Sequence, residues 1–431
     1  MKGESTVRRM RSLDPKSAAF TLLLGALVTL SSFATDMGLP VLDATAAALG
    51  VTSARAAYTL SVFVLGFALG PLFFGSLSDR LGRRPVLLAG CAAFASFGAA
   101  AAFARSFHAL LVCRLVMGVG AGTVQVLVIA TVRDVYAGAE ARVRQSHVNL
   151  AAGLAPVIAP TLGALTAAVG GWRLIYGVLA AGGITLLGVV ALRLDESLPR
   201  RTARGSESIA RRYARVFRHP VSAGYVLVGA MNFGALFSYV SGSSLVLMDA
   251  LGVSRRTYGA LFACAAFGLV IGAWVNARLT RRGVAAERLI VAGLAAVVTS
   301  AVALLAATIA GVLSVGLLVP LAAVGTVGQG IVRPHTAQGA LELLPDIAGV
   351  ASAVLTSTQM LTAALTGAVV AALFDRYSSL AMTAPMTACA LAAAIVYVAV
   401  VRRAERAATC ACAGSVDRGS DDRFGLVSTQ H

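Results

Sequence analysis

Lysine is nearly missing from this chain. Only Lys2 and Lys16 occur, so almost all of its 36 basic residues are arginine. Charge of either sign is scarce, at 13% of 431 residues, against 58% hydrophobic residues. A water-soluble domain could not cover that much apolar surface, whereas a lipid-embedded helical bundle need not. Apolar–polar alternation is lacking too, which excludes a β-barrel and leaves helices that satisfy their own backbone. No Walker-type nucleotide loop is present, so the chain should not hydrolyse ATP. The five histidines, His147 and His335 among them, are scattered rather than spaced for a metal. No disulfide framework is implied either: Cys91, Cys113, Cys264 and Cys389 lie in apolar runs, while Cys410 and Cys412 have too few potential ligands nearby for a metal site. No cofactor, metal or catalytic residue is expected, and the chain is not expected to be an enzyme. Its net charge of +17 is dispersed among short loops, which excludes nucleic acid as a partner and points to membrane topology.

Long apolar runs are what the chain has in abundance. Twelve stretches suit the ~20 residues needed to cross hydrocarbon. They are residues 18–39, 57–77, 86–104, 109–132, 145–169, 174–192, 221–248, 258–277, 289–310, 313–332, 347–373 and 379–401. With both termini cytoplasmic, 29 basic residues fall inside and six outside (Arg55, Arg105, Arg173, Arg255, Arg256 and Arg376), and Arg114 lies within a span. That asymmetry sets the orientation. The basic segment 1–17 followed by an apolar run resembles a signal peptide, but the run is too long for a cleaved one and is expected to persist as the first span. The expected fold is all-α and integral to the membrane. Two six-helix bundles, 18–192 and 221–401, are joined by a basic cytoplasmic linker over 193–220 that includes Arg200, Arg201, Arg204, Arg211, Arg212, Arg215 and Arg218. A faint repeat pairs Gly75 and Asp79 with Gly272 and Asn276, as expected of halves related by a pseudo-two-fold axis. The polar tail, 402–431, reads as disordered.

A polar island, Gly75-Ser76-Leu77-Ser78-Asp79-Arg80-Leu81-Gly82-Arg83-Arg84-Pro85, separates the second and third spans. Its charges cannot stay in hydrocarbon, so it must form a tight loop at the cytoplasmic surface. Gly75 would permit close helix contact and Gly82 a tight turn. Asp79 suits the N-terminus of a helix starting on the same side, with the eleventh span near Ile347 and Arg133 as candidate neighbours.

Asp36, late in the first span, is the foremost functional candidate, because an acid at membrane depth suits proton exchange. At 1.5 Å per residue, Asp36 and Arg114 both reach the outer part of the bilayer. The two could pair or share a cavity as proton-coupling groups, or Arg114 could snorkel outward as an anchor. The fifth span carries Gly153, Pro156, Pro160 and Gly163, which suit a bent helix with close-approach positions. Polar stripes on apolar helices mark a cavity: Arg114, Gly118, Ala121, Gly122 and Gln125 on span four, Asn232, Tyr239 and Ser243 on span seven, and Ser352, Gln359, Thr362 and Thr366 on span eleven. Met117, Gln125, Asn232, Phe237, Tyr239, Gln359 and Met360 are its candidate lining, offering aromatic and adaptable apolar surface to a drug-like ligand.

The Gly-x-Leu-x-Asp-Arg-x-Gly-Arg-Arg pattern over Gly75–Arg84 resembles the signature loop of the major facilitator superfamily. Thr35-Asp36-Met37-Gly38-Leu39-Pro40, the run Leu60–Gly70, Val132-Arg133-Asp134-Val135-Tyr136, Gly171-Trp172-Arg173 and Glu196-Ser197-Leu198-Pro199 are similar to its Bcr/CflA-type drug:proton antiporters. The run Ala159-Pro160-Thr161-Leu162-Gly163-Ala164 resembles the antiporter motif, with alanines at the first and last positions. This resemblance implies a multi-pass protein of the bacterial inner membrane that works as a monomer by alternating access. It would exchange cytotoxic compounds such as phenicols, bicyclomycin-like drugs or sulfonamides for protons. Asp36 and Arg114 would couple protons, and Gly75, Asp79, Arg80, Gly82, Arg83, Arg84 and Arg133 would govern switching. Gly38, Pro71, Met117 and His335 depart from the family's usual residues, so the resemblance implies no particular drug. Two other functions fit the chain. One is export of a native metabolite, an amino acid or dipeptide, or a self-made antibiotic. The other is a transporter-like sensor, for which the linker and tail are short.

Overall fold

Several helices begin where a hydroxyl can take up backbone N–H groups that the first turn leaves unpaired. Ser17 Oγ accepts from Phe20 N, Thr52 Oγ1 from Arg55 N, Ser106 Oγ from Ala109 N and Ser254 Oγ from Thr257 N. The computed structural model describes residues 13–197, 209–344 and 347–404, and among these every regular element is helical. The N-terminal half contains α1 (Ala18–Asp36), α2 (Leu42–Leu49), α3 (Ser53–Leu81), α4 (Arg83–Ala102), α5 (Phe107–Val135) and α6 (Gly138–Arg193). A connecting α7 (Ile209–Arg218) leads to α8 (Pro220–Ser244), α9 (Arg255–Arg281), α10 (Ala286–Ile309), α11 (Val315–Glu342), α12 (Ala348–Tyr377) and α13 (Leu380–Val396). Eleven helical stretches are long and apolar enough to cross a membrane. One of them, within α6, holds two of the expected spans, because Gly170 (ψ 19°) and Gly171 (φ 68°) leave helical geometry and reverse the chain.

The two halves repeat one packing scheme, built on helices close enough for backbones to touch. In the first half, an added Cβ at Gly66 or Gly70 of α3 would strike the backbone of Leu115, Val119 or Thr123 in α5. In the second, Gly268 and Gly272 of α9 meet Ala323 and Val327 of α11 in the same way. Gly122 lies against the Phe67 carbonyl as Gly330 lies against that of Leu269. Gly272 is therefore the counterpart of Gly70, and the repeat expected from Gly75 was five residues out of register. A Cβ at Gly75 would meet only Val126 Cγ2, at 3.9 Å, so this glycine is not a close-contact position.

The apolar cores describe how the halves meet. On the face carrying residues 75–85 each bundle has its own core. One gathers Phe20, Leu87, Leu127 and Val190, the other Val226, Ile290, Leu355 and Tyr397. Toward the far face a single core joins both bundles, with Leu60 and Phe63 packed into the same cluster as Phe237, Phe262 and Phe374. Polar latches reinforce that closure: Arg255 Nη2 lies 2.7 Å from Asp43 Oδ2, and Thr52 Oγ1 donates to Asp375 Oδ2 at 2.9 Å. The bundles thus share an apolar core on one side and have separate apolar cores toward the other, where the Arg133 guanidinium still reaches the start of α12.

Three local expectations change. The first span ends at Asp36, and a 3-10 turn at Leu39–Val41 and the short α2 follow it. α11 continues to Glu342, so Arg333, expected in an inner loop, lies within a spanning helix. Part of the basic linker is the helix α7, whose Val216 is buried in the second bundle's core. Residues 1–12, the linker's Arg200, Arg201 and Arg204, and the tail with Cys410 and Cys412 lie outside the described residues.

Candidate functional site

Asp36 closes α1 and is buried at 5% exposure, inside the core the two bundles share. Its neighbour Met37 presents a carbonyl to Gly163 of α6, close enough that a side chain at Gly163 would collide with it. Across the bundle boundary, Tyr258 of α9 belongs to the same shared core as Ala34 and Met37, which flank Asp36. The Tyr258 hydroxyl in turn lies 2.9 Å from Ser243 Oγ on α8. Asp36 is thus a carboxyl at the seam between the halves.

Arg114 is buried at 2% exposure, so it is not a snorkelling anchor. Nor does it form an ion pair with Asp36. Its Nη1 donates to the Ala34 carbonyl at 2.8 Å and its Nε to the Thr59 carbonyl at 3.1 Å, tying α1 to α3. The guanidinium carbon lies 4.2 Å from the Phe63 ring centroid and 5.8 Å from that of Tyr176. Backbone carbonyls and aromatic faces therefore supply the negative potential that an ion pair with Asp36 would have supplied. The side chain also borders a hollow lined by Thr45, Thr59, Trp172 and Tyr176.

The loop between α3 and α4 is an ion-pair cluster clamped from outside. Arg83 holds Asp79 at 2.5 Å, Asp134 at 2.9 Å and Ser78 Oγ at 2.5 Å. Asp79 thus pairs within its own loop. It is the Arg133 guanidinium that stands beside the first turn of α12, 3.2 Å from where a Gly349 side chain would start. Glu196, which the family resemblance marks only as part of a string, proves central. Its carboxylate accepts from Arg83 N at 2.8 Å and Arg84 N at 3.1 Å, capping α4, while Arg84 Nη2 reaches the Ala191 carbonyl at 2.6 Å. Gly82 adopts φ 100°, and a Cβ there would come within 2.6 Å of Glu196 Oε2, so its turn demands glycine twice over.

The expected lining residues divide. Gly118 and Gly122 press on the Phe63 and Phe67 carbonyls of α3 and face no cavity. Met117 is fully buried and packs toward Gly98 of α4, so it belongs to the bundle interior. Tyr239 is buried and stacks on Phe262 at 5.9 Å, and its hydroxyl has no partner. Phe237 stacks on Phe233 and adjoins Gly367 of α12. Asn232 is buried with Oδ1 unpaired. Gln125, Gln359 and Met360 are half-buried. In α6 the helix runs on through Pro156 and Pro160. Gly163 makes its close contact, whereas Gly153 is exposed and has nothing within 4 Å of its Cβ position. Among the described residues no group of His, Cys, Asp and Glu could hold a metal.

Comparison with known proteins places these features in a family. Residues 22–367 match the Major Facilitator Superfamily. The chloramphenicol resistance protein of Pseudomonas aeruginosa is 31% identical over 339 residues, 78% of this chain and 80% of that one. The bicyclomycin resistance protein homolog of Haemophilus influenzae is 27% identical over 385 residues, covering 88% and 95%. Among solved structures, a D-xylose-proton symporter aligns at TM-score 0.66 and 16% identity, over 88% of this chain and 98% of its own. A bacterial homolog of the lysosomal transporter Spinster, inward-facing and occupied, aligns at 0.68 and 18%, over 90% and 97%. At such identities the structural matches establish the fold alone.

Proposed function

Because the chain belongs to the Major Facilitator Superfamily, a family of multi-pass membrane transporters, we propose that it expels antibiotics or other cytotoxic compounds in exchange for protons. Its similarity to resistance proteins supports the cargo class. The observation that carries the proton step is Asp36, a carboxyl buried at the seam of the bundles without an ion-pair partner. An uncompensated charge is costly in such a place. In our reading, a protonated Asp36 accompanies closure of the far face, and opening that face rehydrates the carboxyl and frees its proton for exchange.

The signature-loop face is assigned to the cytoplasm on the arginine distribution. The Asp79–Arg83–Asp134 cluster would then hold or release the cytoplasmic ends of the bundles as access alternates, and drug would be gathered from the side where the cores part. The test is drug susceptibility of an efflux-deficient host expressing the chain, with and without a proton uncoupler. Raised resistance that the uncoupler abolishes is expected. Asp36→Asn should insert normally and lose that resistance. Uncoupler-insensitive resistance, or full resistance in Asp36→Asn, would remove the proton from the mechanism.

A further inference from the structure

Arg333 is an exposed cation on an otherwise buried face of a spanning helix. Arg333 lies nine residues before the end of α11, about 13 Å along the helix from its terminus. The face of α11 turned away from the protein carries Gly316, Pro320 and Val324, then Pro334, Gln338 and Glu342, all exposed at steps of a helical turn. Arg333 is not on that stripe. Its own face carries Thr326, Gln329, Thr336 and Ala340, and every one of these is buried. Arg333 alone on this face is exposed. It therefore reaches from a buried helix face into an opening within the protein, on the side where the two cores part. It makes no ion pair and no side-chain hydrogen bond. The internal repeat gives the same location: α5 and α11 correspond with Val119 matching Val327 and Gly122 matching Gly330, so Arg333 occupies the place of Gln125.

Two amides lie at the same level. Along the contact of α8 with α11, Ser222 Oγ donates to the Ala340 carbonyl, Tyr225 lies against Gly339, and the Gly229 Cβ position is 3.5 Å from Thr336 Oγ1. As one helix rises the other descends, so the next turn sets Asn232 beside the level of Arg333. Asn232 is 4% exposed; its Nδ2 is the donor an anion would use, while its unpaired Oδ1 is left to accept from Arg333 or from the cargo. Gln359 Nε2 of α12 is 3.1 Å from the same Gly229 position. A lone guanidinium with amide groups within a turn is a donor set for a planar oxyanion. Charged groups inside spanning helices are functional candidates, and this one lacks a counter-charge from the chain itself.

We propose that Arg333, Asn232 and Gln359 form an anion subsite, and that the favoured cargo carries a carboxylate which supplies the missing counter-charge. This rests on the transport reading for its physiological meaning but is testable by binding alone. The probes are 2-naphthoate and its neutral amide, 2-naphthamide, titrated into the purified full-length protein by calorimetry. Wild type should prefer the acid. Arg333→Gln should weaken naphthoate roughly ten- to a hundredfold, as expected for loss of a hydrogen bond to a charged group. It should weaken naphthamide by clearly less, about two- to tenfold, because a neutral carbonyl loses only an ordinary hydrogen bond. Arg333→Lys should fall between, because the charge persists without the fork. Equal loss of acid and amide in Arg333→Gln would make the residue structural. Unchanged naphthoate affinity in that variant, or no preference for the acid in wild type, would overturn the subsite. Tighter binding of naphthyl phosphate or naphthalene sulfonate than of naphthoate would overturn the carboxylate assignment. Efflux of neutral drugs by Arg333→Gln at the wild-type rate would leave the transport reading standing whichever way the binding results fall.

Discussion

Removing the Arg255–Asp43 latch should tilt the protein toward opening at its far face by a small, calculable amount. Its atoms are 2.7 Å apart, but the side chains are 37% and 39% exposed, so water screens much of the attraction. Pairs of this kind contribute about 0.2–1 kcal/mol. Arg255→Gln should therefore change the closed-to-open ratio by about 1.4- to fivefold; a ratio of 10:1 would fall to between about 7:1 and 2:1. The effect stays modest because the Thr52–Asp375 hydrogen bond and the shared apolar core remain. The assay is the distance distribution between two nitroxide labels across the far face, in a background with its native cysteines replaced. High salt should move the wild type in the same direction as the variant. Exchanging the charges, Asp43→Arg with Arg255→Asp, should bring the distribution back. A shift above tenfold, insensitivity to salt, or failure of the exchange to restore closure would refute the reasoning.

Two further outcomes follow from close contacts. Gly82→Ala should cost about 1–3 kcal/mol for its backbone geometry, plus about 0.5–2 kcal/mol from dislodging the Glu196 cap. Combining it with Glu196→Ala should cost less than the sum of the single variants, which denaturant titration in mixed micelles would reveal. Arg114→Lys cannot serve the Ala34 and Thr59 carbonyls as a fork. It should lose about 1–3 kcal/mol of stability in the same titration. The pH profile of efflux should stay in place in that variant, because no ion pair joins Arg114 to Asp36.

The fold was legible because its strongest signals are local. Apolar run length marks the spans, and the charged loop stands out between two of them. Signals that depend on a partner helix were not. Met117 falls on the same sequence stretch as Gln125, and only the packing toward Gly98 shows that it points into the bundle. The repeat slipped by five residues because charged loops were matched to each other, whereas the symmetry is held by backbone contacts at glycines. Arg333 passed for a loop residue because an arginine and a proline together look like the end of a span; α11 runs through both, with Pro334 on its outer face. Glu196 acts on an element far away in sequence, so nothing beside it in the chain announced its role. Asp36 was recognisable because an acid late in an apolar helix is anomalous by itself.

The turn at Gly170 and Gly171 leaves the fifth and sixth crossings joined with no slack. The limb before the joint touches the other bundle, where a Cβ added at Gly259 would come within 3.1 Å of Thr161. The limb after it begins with Trp172, edge-on to Tyr176 at 5.9 Å, and Tyr176 forms part of the wall around Arg114. A longer connector would let the first limb rock while the second stood still. Here the two limbs are tied directly at the joint, so a displacement of one would be passed to the other. Lengthening the joint with a few flexible residues would therefore act like a slipping clutch, leaving both bundles intact while the push at Thr161 no longer reaches the aromatic wall.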